Sequence, residues 1–386
     1  MYAGRLDSGR CLTWAVFCVA LSSVVLMAGC PLVGLLSMLL ADAPPYRIVG
    51  TDGDRLLFVE QAGVDELQAM ADGEPPEARD LRAVDVGTLA AETVLPDVVA
   101  FGQDIAANGD WLAWIDWAGE VVRVRALGTG AESSYYEGQV AFDDEWALYK
   151  IADDRLIIQR LTGITIEDRQ YEFIVLDLLT GEDKHVAGCW GYGTFAIDGD
   201  YLAFMTNEAT DVEVLGLELA TNIDLVNLAT DERQTVAPDL RVSGDGYAID
   251  LLIDGGRVIW QQFKPGGFQS QINSYDIAAG TTSTLADNIN PSNGDRWLHD
   301  VSGERLLLEL RTGNALVNEV VSLELRTVGG DTVTIVEFPG SFEQRPSYDP
   351  EPRFIGDFVV WTDPYSGEFV VYDPATGTTQ RYDPGA

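Results

Sequence analysis

Residues 353–363 read Arg-Phe-Ile-Gly-Asp-Phe-Val-Val-Trp-Thr-Asp, and residues 368–381 read Glu-Phe-Val-Val-Tyr-Asp-Pro-Ala-Thr-Gly-Thr-Thr-Gln-Arg. The apolar runs are short, rich in β-branched and aromatic residues, and closed by Gly-Asp, Asp-Pro or Thr-Gly, so the stretch predicts four strands joined by tight turns. The runs are apolar at nearly every position, which means that both faces of the sheet need covering. A single copy cannot supply that cover.

Copies recur along the chain. A turn followed by an apolar strand starts at Gly53, Gly109, Asp153, Gly199, Gly255, Gly303 and Gly356. The spacing is about fifty residues, which fits a four-stranded propeller blade and is too long for a leucine-rich or ankyrin repeat. Short pieces before each turn supply innermost strands: Arg47-Ile-Val, Asp104-Ile-Ala, Ala147-Leu-Tyr, Phe195-Ala-Ile, Tyr247-Ala-Ile, Trp297-Leu-His and Arg353-Phe-Ile. Outer hairpins start at Asp177, Asn227, Asp276 and Asp373, each with Gly or Asp four residues on, where an Asx turn meets a left-handed residue. The expectation is an all-β protein, a seven-bladed β-propeller of four-stranded antiparallel blades over residues 46–386, with six or eight blades as alternatives. Each terminus supplies a whole blade, so no blade is shared and closure rests on packing of the first against the last.

These units, an apolar Gly-Asp strand followed by a Tyr-Asp strand and a Thr-Gly turn, resemble the TolB-type propeller repeats of exported bacterial proteins. The resemblance covers residues 46–386 and is best over the last copy. It implies the propeller fold and an extracytoplasmic address. It implies no one activity, because such propellers serve as partner-binding scaffolds, carbohydrate-active enzymes and peptidase appendages alike.

The N-terminal segment speaks for the same address. Arg5 and Arg10 precede an uncharged run from Cys11 to Ala41, and Leu26-Met-Ala-Gly-Cys30 resembles the lipobox of bacterial lipoproteins. Residues 1–29 are read as a lipoprotein-type signal peptide, with Cys30 as the lipidated residue, and residues 30–45 as a membrane-proximal tether. The alternative is an uncleaved transmembrane helix. With Cys11 and Cys18 removed and Cys30 acylated, only Cys189 of the four cysteines remains, so no internal disulfide forms. The net charge of −38 repels nucleic acid and anionic headgroups, which excludes nucleic-acid binding.

Candidate site residues follow from strand direction. The second-to-third strand links and the interblade loops share one face, where Trp117, Trp190, Tyr192, Phe263, Phe268 and Tyr365 are candidate ligand-face aromatics, against the alternative that they fill gaps between blades. The Gly-Asp turns put Asp52, Asp54, Asp110, Asp153, Asp154, Asp198, Asp200, Asp254, Glu304 and Asp357 at the other end; an acidic ring suits calcium, but the ligand ladder and closing Glu of a calcium loop are absent, so these read as a solvated turn face and no metal is assigned. His185 lies four residues from Cys189, which invites a Cys-His reading, but such pairs are set by tertiary contact and the two read as a loop histidine and a buried thiol; His299 falls on an innermost strand with no second histidine and no nucleophile nearby, and no Gly-x-Ser-x-Gly, His-Glu-x-x-His or phosphate loop occurs. The expected function is a monomeric, membrane-tethered, non-enzymatic scaffold in the bacterial cell envelope. It binds an envelope protein or a polysaccharide and needs no cofactor. A propeller-type glycan lyase or hydrolase and a structural spacer are the alternatives. Arg, His and carboxylates converging at one mouth would favour the enzyme.

Overall fold

The computed structural model describes residues 46–60, 78–98, 105–116, 119–140, 146–162, 170–190, 195–208, 219–242, 251–263, 269–291, 294–313, 319–340 and 352–385. All regular structure in them is strand; no helix occurs among the described residues. The first eight strands are β1 (Tyr46–Asp52), β2 (Arg55–Glu60), β3 (Arg79–Asp85), β4 (Ala91–Val98), β5 (Ile105–Asn108), β6 (Trp111–Asp116), β7 (Val121–Ala126) and β8 (Glu132–Tyr135). Next come β9 (Trp146–Ala152), β10 (Arg155–Thr162), β11 (Gln170–Asp177) and β12 (Asp183–Trp190), then β13 (Phe195–Asp198), β14 (Tyr201–Glu208), β15 (Leu219–Asn227) and β16 (Arg233–Val242). The chain ends with β17 (Leu251–Asp254), β18 (Arg257–Phe263), β19 (Ser270–Asp276) and β20 (Thr281–Ala286); β21 (Gly294–Ser302), β22 (Arg305–Thr312), β23 (Glu319–Thr327) and β24 (Thr332–Gly340); and β25 (Arg353–Ile355), β26 (Phe358–Thr362), β27 (Phe369–Asp373) and β28 (Thr378–Tyr382).

The seven turns located in the sequence each open the second strand of a quartet, two residues before Arg55, Trp111, Arg155, Tyr201, Arg257, Arg305 and Phe358. The innermost strand expected at Tyr247 lies outside the described residues; β17 follows it.

The expectation of seven separate four-stranded blades is overturned. Five four-stranded antiparallel sheets form, from β9–β12, β13–β16, β17–β20, β21–β24 and β25–β28, while the first eight strands join in one sheet of order β4-β3-β2-β1-β5-β6-β7-β8. The junction is a parallel pairing of β1 with β5 through Gly50 with Ala107 and Thr51 with Asn108. Its cause is steric. A Cβ on Gly50 would stand 1.7 Å from the Ala107 carbonyl oxygen, so only glycine lets the two backbones meet at that point. The eight-stranded sheet curls, because Leu57, Leu81 and Leu95 of its first half share a core with Ile105, Leu112 and Trp114 of its second.

By contact the described chain divides into two compact units, residues 189–340 with 352–354, and residues 46–188 with 355–385. In the first, β13–β16 packs on β17–β20, which packs on β21–β24. In the second, the eight-stranded sheet packs on β9–β12 at one end, and at its other end Ile48, Leu56 and Phe58 meet Val360, Phe369 and Val371 of the last sheet. The first and last quartets therefore pack directly, with Phe58 edge-on to Phe369 at 5.0 Å, and share no strand.

One position of the repeat carries much of each core. The fourth residue of each second strand is Phe58, Trp114, Ile158, Phe204, Trp260, Leu308 or Trp361, and each is at most 8% exposed. Burying side chains of this size contributes about 1.5–3 kcal/mol apiece.

Candidate functional site

In the first unit, β21 is a nine-residue innermost strand that carries Arg296, His299 and Asp300 among its apolar residues. A β-bulge lies between Leu298, opposite Leu308, and Asp300, opposite Leu307, so His299 is the extra residue. Bulges re-aim side chains. The same irregularity falls at Val49 in β1 and Tyr149 in β9, both opposite the corresponding step of their second strands. The bulge is thus a device of the repeat, and it delivers the imidazole to β22.

There Glu309 and Arg311 stand two residues apart, on one face of the strand. Glu309 is fully buried. Its Oε2 lies 3.1 Å from His299 Nε2, and its Oε1 accepts from Arg311 Nε. Burial alone would raise its pKa, but the hydrogen bond from His299, the Arg311 charge and the His299 charge outweigh that and hold the carboxyl at about 2.

Beside it, Arg296 Nε donates to Glu324 Oε2 at 2.6 Å, Arg296 Nη1 donates to the Ile289 carbonyl, and its backbone N–H donates to Asn290 Oδ1 at 2.9 Å. Gln261, wholly buried on β18, ties this arrangement to the adjacent sheet. Its Nε2 donates to Ser270 Oγ at 3.1 Å and to the Arg296 carbonyl at 2.6 Å, while its Oε1 accepts from Leu298 N–H at 2.6 Å. Burial raises the Asp295 carboxyl above its ordinary value. Arg296, His299 and Arg311 each keep about a fifth to a quarter of their side chains exposed. The arrangement holds one imidazole by one nitrogen, and both of its most buried carboxylates already serve internal cations.

Of these residues the sequence singled out only His299. Glu309 with Arg311, and Arg296 with Glu324, are signalled only by alternation, which puts each charge on a face that also carries leucine or valine. Of the ligand-face aromatics, one side chain is described. Trp117, Tyr192 and Phe268 fall outside the described residues, as do the side chains of Trp190 at the end of β12 and Phe263 at the end of β18. Tyr365 is described, in the second unit. Asp363 Oδ1 accepts from the backbone N–H of Tyr365 at 2.9 Å and of Ser366 at 3.2 Å, Asp363 Oδ2 accepts from Arg381 Nη1 at 2.6 Å, and the turn so fixed holds the Tyr365 ring half exposed. Burial, and after it the Asp363 charge, raises the Tyr365 phenol.

His185 pairs through Nδ1 with Glu172 Oε1 at 2.8 Å; the Cys189 side chain and Cys30 lie outside the described residues. The acidic turns are engaged with neighbouring groups: Asp254 accepts from Gly303 N–H of the next quartet at 3.0 Å, Asp154 from Trp111 Nε1 of the preceding one at 2.8 Å, and Asp52 pairs with Arg55 of its own turn at 3.1 Å. Among the described residues no group of three or more His, Cys, Asp or Glu is arranged to hold a metal.

No family model and no curated protein sequence matches the chain. Solved structures do. A prolyl endopeptidase is matched at a TM-score of 0.56, with 14% identity over 91% of this chain and 52% of that one. The chain thus spans about half the length of that enzyme. The β-propeller domain of the Trilobed protease from Pyrococcus furiosus, described as having an open velcro topology, is matched at 0.52, with 10% identity over 87% of this chain and 94% of that one. An oligogalacturonate lyase in complex with manganese is matched at 0.50, with 15% identity over 83% and 85%. TolB from Acinetobacter baumannii is more distant, at 0.42. At these identities the likeness establishes the propeller arrangement alone.

Proposed function

We propose that the chain is an exported scaffold that binds a protein or polysaccharide of the bacterial cell envelope and catalyses nothing itself. Residues 1–29 are its signal peptide, Cys30 its lipid attachment point, residues 30–45 its tether and residues 46–386 its β domain; the membrane holds it through the N-terminus, as a monomer, without a cofactor. One observation carries the non-enzymatic reading. Where His, Arg and carboxylates meet, around His299, the two most buried acids are occupied: Glu309 by His299 and Arg311, and Glu324 by Arg296. A carboxyl held at about 2 cannot donate a proton near neutrality, and no serine or cysteine hydrogen-bonds His299 among the described residues.

The test is incubation of the full-length protein, in detergent, with envelope polysaccharides and with labelled envelope extract. Retention of a glycan or a cross-linked partner with the ligand recovered intact is expected. Shortened chains, or unsaturated ends, would overturn it. The competing reading, a glycan lyase or hydrolase, is favoured by the same meeting of Arg296, His299 and Arg311. It requires that His299→Ala abolish chain shortening.

A further inference from the structure

A cavity of about 300 Å³ opens in the second unit, between the end of β4 and the face of β6–β8, far in sequence from His299. Its position follows from two features of the strands. In β4, Leu95 pairs with Leu81 and Val98 with Arg79, so Pro96 and Asp97 bulge out opposite Asp80, and Asp97 takes a left-handed φ of 56°. Bulges and left-handed non-glycine residues concentrate where a fold serves a ligand. In β6 and β7, Trp114 pairs with Arg123, so the indole and the guanidinium stand on one face.

The walls offer paired donors and acceptors. Arg123 donates through Nε to Asp116 Oδ2 at 2.7 Å, and Arg125 through Nη1 to Glu132 Oε1 at 3.4 Å. Each guanidinium is anchored at one edge, and its remaining N–H groups bond no other described residue. Leu95 and Trp114, both 8% exposed, form an apolar floor. Three carboxylates, Asp97, Asp116 and Glu132, face two guanidinium groups. That excess of negative charge, within a chain of net charge −38, disfavours an anionic ligand.

A ligand suited to these walls presents donors and acceptors side by side on one face, an apolar face on the other, and no charge. A pyranose ring has that character. The cavity is at the small end of ligand pockets, which run roughly 300 to 1,000 Å³, so it takes one or two rings. We propose that this groove is a binding subsite for a neutral oligosaccharide, its hydroxyls bonded by Arg123, Arg125 and Glu132 and its C–H face laid on Leu95 and Trp114. The proposal rests on the binding reading above and gives it a ligand class.

The experiment is calorimetric titration of the full-length protein in detergent with neutral hexose and N-acetylhexosamine oligosaccharides, and with uronate oligosaccharides as the charged comparison. Arg125→Met and Glu132→Gln, both at partly exposed positions, are titrated in parallel, with thermal unfolding recorded for each. Neutral ligands are expected to bind, each substitution weakening them about tenfold, as the loss of one hydrogen bond to a charged group predicts, with the unfolding temperature unchanged. The groove is overturned if no neutral oligosaccharide binds, if affinity is the same in both variants, or if uronates bind more tightly. Affinity unchanged in both variants leaves the scaffold reading standing and removes only the groove; ligand shortened during titration, with affinity still lowered by the variants, does the reverse.

Discussion

Glu309 Oε2 and His299 Nε2 stand 3.1 Å apart, and this contact joins the bulge of β21 to the middle of β22. The pairing makes a definite statement about acid stability. The carboxyl is held at about 2, below its ordinary 4.5, so the folded protein binds that proton less readily than the unfolded chain does. The contribution is fully present above pH 4.5 and is lost as pH falls from there through about 2. It amounts to something on the order of 3 kcal/mol. Glu309→Gln is expected to lower stability at neutral pH and to flatten its decline in acid. Urea midpoints compared across that window check it, and an acid limb of unchanged slope in the variant would refute it.

Gln261 is a second measurable joint. Its amide serves Ser270, Arg296 and Leu298 at once, across two sheets and with no access to water. Gln261→Leu has similar size but leaves the Leu298 N–H and the Arg296 carbonyl buried without that partner. Each such group costs about 1–3 kcal/mol. A loss of about 3 kcal/mol is expected in a denaturant titration of the variant. A loss under about 1 kcal/mol would mean that neighbouring groups or water replace the amide.

The strands were legible because each local signal concerns residues close in sequence. Gly53, Gly199 and Gly356 have φ values of 57°, 51° and 55°, as their turns require, and the apolar run after each has one buried phase on either face. The sheet count was not legible. It turns on Gly50, whose partner Ala107 lies far along the chain, and a glycine inside a strand reads equally well as a bulge or a weak point. The charged cluster escaped for a related reason. Glu309 and Arg311 look like the wet side of an alternating strand, and only the neighbouring strand's bulge shows that their side is covered. The candidate aromatics depend on links that connect strands, and of these Tyr365 alone has a described side chain.

Asp363 supports the turn that presents Tyr365. Burial would raise its pKa, yet the N–H groups of Tyr365 and Ser366 and the Arg381 side chain together bring it below the usual carboxylate value. Its support is therefore present above about pH 4 and declines as the pH falls further. Asp363→Ala removes the acceptor of the Tyr365 and Ser366 N–H groups and of Arg381 Nη1, and is expected to cost about 2 kcal/mol. It is also expected to quicken backbone exchange at Tyr365 and Ser366. Hydrogen exchange followed by mass spectrometry reads this directly; unchanged protection of those amides would show that the turn holds without its carboxylate.

The junction of β1 with β5 yields the sharpest comparison between two substitutions of one kind. Gly53 sits at φ 57° with nothing within 4 Å of an added Cβ, so Gly53→Ala meets only backbone strain, about 1 kcal/mol. Gly50→Ala instead drives a methyl group into the Ala107 carbonyl, a clash that no rotamer relieves because the obstacle is backbone. The two strands have to separate, breaking the pairing of Thr51 with Asn108 as well and dividing the eight-stranded sheet. Gly50→Ala is expected to lower the unfolding temperature several times more than Gly53→Ala does, and to speed amide exchange in Ile105–Asn108 while leaving β21–β24 protected. Equal effects from the two alanines would mean that the parallel junction contributes nothing to holding the two halves of the sheet together.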